Sequence, residues 1–245
     1  MKNTTPTLLS IGADAKTVKG EKQGYLTAIC YLAPVNLAVA RVNLCPNASA
    51  GCTAACIYTA GHGIYNHVQA ARIRRAKLFI QNKVMFQILL DEELISLRRK
   101  AAKLQLTPVV RLNGTSDISW ERITLNRLTV MERNPDLQFY DYTKSVKRMM
   151  DFVSGKLPDN YHLTFSRSET NHAECMQVLR AGGNVAAVVN VRRSQPMPPT
   201  LRSIRMIDGD ESDLRFLDPA PCIVGLRAKG KAVKDTSGFV LQAER

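Results

Sequence analysis

Cys45, Cys52 and Cys56 fall within twelve residues of chain, in the stretch Cys45-Pro46-Asn47-Ala48-Ser49-Ala50-Gly51-Cys52-Thr53-Ala54-Ala55-Cys56. If a helical turn begins near Cys52, then Cys52 and Cys56 stand at i and i+4 on one face, and the small residues before them let Cys45 fold back. Three converging thiolates are soft ligands that suit an iron–sulfur centre, in particular a [4Fe-4S] cluster with one iron open to an outside ligand. Structural zinc needs four ligands in a closed tetrahedron. His62 is available as the fourth, but it is flanked by Gly61 and Gly63 at a spacing that matches no zinc-finger pattern. Three inert buried thiols are the remaining alternative. Cys30, Cys175 and Cys222 stand alone in apolar surroundings and read as small buried hydrophobes.

A second set of polar residues follows short apolar runs. Arg111-Leu112-Asn113-Gly114-Thr115-Ser116-Asp117 closes one run, Asp141-Tyr142-Thr143-Lys144 another, and Ser166-Arg167-Ser168-Glu169 a third. Asn190-Val191-Arg192, Asp208-Gly209-Asp210 and Arg227-Ala228-Lys229-Gly230-Lys231 close three more. Asp117, Asp141 and Lys144 are candidate catalytic groups. Asn113, Gly114, Ser116, Arg167, Asn190 and Lys229 are candidates for holding a polar or phosphorylated ligand. Strands also end at polar turns for structural reasons alone, and that reading covers part of the set. Asp208, Asp210 and Asp213 offer oxygen ligands for a hard cation as an alternative site. His162 lies inside an apolar run and reads as a satisfied core histidine.

The elements that must position these groups alternate. Apolar runs at 25–32, 108–112, 137–142, 161–166, 184–191, 201–207 and 222–226 predict buried strands. Tyr65 to Leu104 has helix-forming composition without Pro or Gly, and its length predicts two helices. Helices are also expected from Ser145 to Val153 and from Asn171 to Arg180, the second stopped by Gly182-Gly183. Strand–helix alternation predicts the α/β class with parallel strands. The expected architecture is a partial or distorted (β/α) barrel of six to seven mainly parallel strands with outer helices. Chemistry in such folds gathers at the carboxyl ends of the strands, where the polar clusters fall. A polar arm over residues 1–20 and a single domain over 21–245 are the expected organisation.

With 245 residues, 45% of them hydrophobic, the chain is long enough to enclose a substantial core. No apolar run approaches the ~20 residues of a bilayer crossing, and the start is too polar for a secretory leader, so the cytoplasm is the expected location. Lys and Arg number 34 against 21 Asp and Glu, a formal charge of +13, which favours an anionic partner such as a nucleotide, DNA or RNA. Basic clusters at Arg72, Arg74, Arg75 and Lys77, and at Arg98, Arg99, Lys100 and Lys103, are either solvated helix faces or phosphate contacts. No Gly-x-Ser-x-Gly elbow, His-Glu-x-x-His motif or Walker A loop is present.

The cysteine stretch with Tyr58-Thr59-Ala60-Gly61-His62-Gly63, the segments 111–117 and 141–144, and Leu226-Arg227-Ala228-Lys229-Gly230-Lys231 together resemble the phage proteins known as gene product eighty-eight, over nearly the whole chain. That resemblance implies a phage-encoded protein of the host cytoplasm. A more distant resemblance is to radical S-adenosylmethionine enzymes, in which three cysteines after the first strand of a partial barrel hold a [4Fe-4S] cluster. Their spacing is three then two intervening residues, against six then three here. The likeness implies S-adenosylmethionine as cosubstrate, with Asn113-Gly114-Thr115-Ser116 in the place of the glycine-rich segment. Two functions are therefore expected from the sequence: a cluster-binding, radical S-adenosylmethionine-like enzyme acting on nucleotide or nucleic acid, or a non-catalytic, metal-stabilised nucleic-acid-binding protein.

Overall fold

The computed structural model describes residues 6–12, 15–35, 37–40 and 42–242. Two compact units divide the chain: one takes Met1–Pro46 and His62–Phe139, the other Asn47–Gly61 and Tyr140–Arg245, over their described residues.

The first unit begins with β1 (Leu9–Ile11), α1 (Ala15–Glu21) and β2 (Tyr25–Cys30). The long helical region splits into α3 (Asn66–Gln81) and α4 (Lys83–Leu104). Asn82 makes the break: its φ of −148° leaves the helical region, and its side chain accepts from the Met85 amide to cap α4. Gln105 ends α4 in the left-handed conformation. Then come β3 (Thr107–Arg111), a small hairpin of β4 (Thr124–Leu125) and β5 (Leu128–Thr129), and α5 (Val130–Arg133), which Thr129 and Glu132 start with a reciprocal capping box. Residues Gln138 and Phe139 of β6 (Gln138–Thr143) complete the unit by pairing with β3. Its core packs β3 and β1 against α4, with Phe79, Phe86 and Trp120 in mutual ring contact at 5.3–6.0 Å.

The second unit holds the short helix α2 (Ala50–Ala54), the rest of β6, α6 (Val146–Val153), β7 (Tyr161–Ser166), α7 (His172–Arg180) and β8 (Val185–Val189). A hairpin of β9 (Thr200–Leu201) and β10 (Ile204–Asp208) follows, then β11 (Ile223–Arg227). Ala186, Cys222 and Val224 form one buried cluster. Ala55, Ala232, Phe239 and Val240 form another.

Hydrogen bonding joins nine strands in the order β1-β2-β3-β6-β7-β8-β11-β10-β9. The pairs β2–β3, β3–β6, β7–β8, β8–β11 and β10–β11 are parallel, whereas β1–β2 and β9–β10 are antiparallel. The class is therefore mixed α/β with a mainly parallel sheet, as expected. Nine strands replace the expected six or seven because β1 and β9 add antiparallel at the two ends of the order. No pairing joins those ends among the described residues, so the strands do not close into a barrel. The run expected as one strand over 201–207 is two, since Arg202 and Ser203 both take positive φ and turn the chain back. The expected arm of residues 1–20 overlaps β1 and α1; its residues 1–5 and 13–14 lie outside the described residues. Among the described residues no helix is long and apolar enough to cross a membrane.

Candidate functional site

A five-residue helix has little stability of its own, so the cysteine helix α2 depends on what anchors it. Ser49 caps it by accepting from the Cys52 amide at 3.2 Å. Glu169, just past β7, reaches the same end: its carboxylate accepts from the Gly51 amide and the Ser49 hydroxyl, each at 2.7 Å. Burial opposes its ionisation, but these two hydrogen bonds hold its pKa below the ordinary value. Gly51 lets these groups approach, because a Cβ there would displace the Ser237 hydroxyl and the Glu169 carboxylate. Cys52 packs against the cluster of Ala55, Ala232, Phe239 and Val240, together with Val188 and Ala228. The helix is thus tied to the carboxyl end of β7 through Glu169 and shares an apolar cluster with residues at the carboxyl ends of β8 and β11.

Cys56 does not share a helical face with Cys52. The helix ends at Ala54, Ala55 caps it, and Cys56 follows in an extended conformation with its sulfur accepting from the Tyr58 amide at 3.5 Å. Cys45 belongs to the first unit, where its thiol donates to the Thr115 carbonyl at 3.5 Å. All three are partly exposed, while Cys30, Cys175 and Cys222 are buried and none of the six is in a disulfide. Burial pushes the Cys175 and Cys222 thiols up to about 11, which disfavours the thiolate that a metal needs. Among the described residues, no group of three or more His, Cys, Asp or Glu side chains is placed to hold a metal ion. The three cysteines have the donor chemistry for a cluster.

In the first unit, Asn113 is the centre of a buried loop. Its side-chain oxygen accepts from the Ser116 hydroxyl at 2.8 Å, the Ile118 amide at 3.0 Å and the Trp120 indole at 3.2 Å, and its amide donates to the Ile118 carbonyl at 2.9 Å. Gly114 lies where a Cβ would strike Tyr31, Ile29 and the Cys30 carbonyl, so close approach to the end of β2 dictates glycine. The Asp117 amide donates to the Leu44 carbonyl at 2.8 Å, next to Cys45 in sequence. Asn113, Gly114, Ser116 and Asp117 are brought together, and the first three shape the loop.

In the second unit, Asp141 is fully buried and accepts from the Tyr161 hydroxyl at 2.9 Å, which in turn accepts from Arg148 at 3.0 Å. Lys144 donates to Ser166 at 3.1 Å and stands 5.8 Å from the Phe239 ring centre. Arg167 donates to the Gly238 and Phe239 carbonyls, both at 2.9 Å. Asn190 donates to Gln242 at 3.0 Å, and Lys229 to Asp210 at 2.7 Å. The alternative hard-cation set is occupied by protein groups: Arg227 bonds both Asp208 oxygens, at 2.7 and 2.9 Å, and Tyr140 donates to Asp213 at 3.4 Å. Sequence reasoning passed over Glu169 as an anchor and the Arg148–Tyr161 pair behind Asp141. A carboxylate 118 residues from the amide it accepts from leaves no local signal.

A protein-family model described as Gene product 88 matches residues 7–243. No curated protein and no solved structure matches the chain.

Proposed function

The chain belongs to the Gene product 88 family, and for this member we propose an iron–sulfur-binding role in which Cys45, Cys52 and Cys56 are the protein ligands of a [4Fe-4S] cluster. The observation that carries the reading is the anchoring of α2 by Glu169, just past the carboxyl end of β7, and the packing of Cys52 on the apolar cluster that Val188 and Ala228, at the carboxyl ends of β8 and β11, also meet. Those ends are where parallel α/β folds gather their chemistry. Partial exposure of these three thiols, against burial of the other three, supports the same choice. Loading requires the segment 45–56 to rearrange and the thiols to ionise: Cys45 leaves the Thr115 carbonyl and Cys56 the Tyr58 amide.

The finer reading is a radical S-adenosylmethionine-like enzyme on a partial barrel, acting on a nucleotide or nucleic acid. From β2 to β8 the strands of the order follow one another in chain sequence without the reversal that marks a doubly wound sheet. Asp117, Asp141 and Lys144 are the catalytic candidates within that reading, and Asn113, Gly114, Ser116, Arg167, Asn190 and Lys229 its ligand-holding candidates. The geometry of Asn113 and Asp141 favours positioning roles. When bound, S-adenosylmethionine would supply the radical chemistry.

Iron and sulfide analysis of protein purified without oxygen tests the proposal. About four irons per chain are expected, lost in Cys52→Ala and in Cys56→Ala and kept in Cys222→Ala. Iron-free protein, or iron unchanged in Cys52→Ala, overturns it; one zinc per chain in colourless protein points instead to the metal-stabilised nucleic-acid-binding module. Exposed Arg74, Lys77, Arg99, Lys100 and Lys103 favour that second reading.

A further inference from the structure

Parallel neighbours in a sheet need a crossover, and the crossover usually lays a helix on the sheet face. Between β8 and β11 the chain instead forms the β9–β10 hairpin and a single 3₁₀ turn at Arg215–Leu217. Val185 and Ala187 alternate along β8, and Ile223 of β11 stands in register with Val185, so these three apolar side chains share one face. Together with residues of α7 and the hairpin residues Leu201 and Ile204 they line a cavity of about 590 Å³.

The lining of this cavity has one sign of charge. Arg167, Arg180 and Arg202 contribute to it, and among the described residues no carboxylate does. Burial, with the like charge of Arg202 adding to it, pushes the pKa of Arg167 below its ordinary value, although Cys175, Glu169 and Asp235 act in the opposite sense. Arg202 is also held at a conformational cost. It and Ser203 are the two central residues of the hairpin turn, with φ of 50° and 64°. Such turns favour Asn and Gly. The β4–β5 hairpin carries Asn126 and Arg127 at its two central places, at φ 51° and 68°, so each of the two turns holds one arginine in this conformation.

We propose that this cavity binds a small amphipathic anion, its apolar body on Val185, Ala187 and Ile223 and its carboxylate or phosphate head between Arg167 and Arg202. The volume falls within the range of ordinary small-ligand sites. The proposal does not depend on the cysteines: an iron-free chain retains the site.

Calorimetric titration of the full chain with decanoate, decyl phosphate, decanol, decylamine and inorganic phosphate tests it. Decanoate or decyl phosphate is expected to bind about tenfold or more tightly than decanol, and the tighter of the two identifies the head group. Decylamine and inorganic phosphate are expected not to bind. Arg202→Asn should weaken the anion about tenfold while its melting temperature stays level or rises, since Asn suits the turn. Ser203→Gly, which relaxes the same turn and keeps the cation, should leave affinity unchanged. Ala187→Phe should abolish binding by filling the cavity; if it fails to fold, the two turn variants still decide. Decanol binding as tightly as the anions, inorganic phosphate binding equally well, full affinity in Arg202→Asn, or no binding by either anion overturns the proposal.

Discussion

Protonating His162 within the folded chain means charging a ring that has lost its water. Burial first, and the nearby Arg215 cation second, lower its pKa from 6.5 to about 4. The ring meets Phe152 edge-on at 4.9 Å, and its Nε2 is buried without a hydrogen-bond partner. The expected satisfied core histidine is therefore only partly buried, and its inward nitrogen is unsatisfied. Because the unfolded chain takes up the proton near pH 6.5 and the folded chain only near 4, the unfolded state binds more protons between those values. Stability from this group is complete above about pH 6.5 and is lost as pH falls toward 4, by on the order of 3 kcal/mol in full. Urea unfolding at pH 7.5 and pH 4.5 should therefore show a smaller pH-dependent loss in His162→Phe than in the parent. Equal losses in the two proteins would show that this ring is not the titrating group.

At the scale of elements, α2 is the piece most dependent on a single distant side chain. Glu169→Ala removes two charge-assisted bonds to a helix too short to persist alone. A loss of about 1.5–3 kcal/mol is expected, with faster alkylation of Cys52 measured by mass spectrometry and a lower melting temperature. Glu169→Gln, which keeps one acceptor, should fall between. Unchanged alkylation would mean that the apolar packing of Cys52 alone fixes the helix. This dependence also explains what the sequence could disclose. Composition and periodicity made the principal strands and α3, α4, α6 and α7 legible, because burial and propensity are local properties of the chain. Asn82 even marks the α3–α4 break by its type. The β9–β10 turn was hidden because Arg202 and Ser203 carry none of the usual turn signature. The strand-exit residues were legible as a set, yet their roles were not: Asn113 and Asp141 spend their polar atoms on Trp120, Ser116, Ile118 and Tyr161, partners that only the fold supplies. Helical spacing of Cys52 and Cys56 was a reasonable expectation that failed at one residue, where the chain leaves the helix at Ala55.

For the molecule as a whole, the decisive quantity is how its charges are used rather than how many there are. Several acids are committed internally: Glu93 to the Leu8 and Leu9 amides, Asp136 to Arg98, Asp208 to Arg227, and Glu169 to α2. Some of the basic residues are committed too, since Arg72 is buried with its guanidinium 4.7 Å from the Tyr31 ring centre. The sequence as a whole keeps a surplus of +13. Part of that surplus has a local reason, because Lys103 in the last turn of α4 meets the negative end of the helix dipole. Arg74 and Lys77, in the middle of α3, have no such reason and are exposed. If they touch phosphate, binding of duplex DNA should weaken steeply with salt, with a slope of about −0.9 for each phosphate neutralised. Arg74→Gln combined with Lys77→Gln should then flatten the slope by about two such contacts while changing affinity equally for unrelated sequences. Fluorescence anisotropy over a salt series reads both quantities. An unchanged slope in the double variant would reassign these two residues to the solvated surface of α3 and leave the net charge as a determinant of solubility alone.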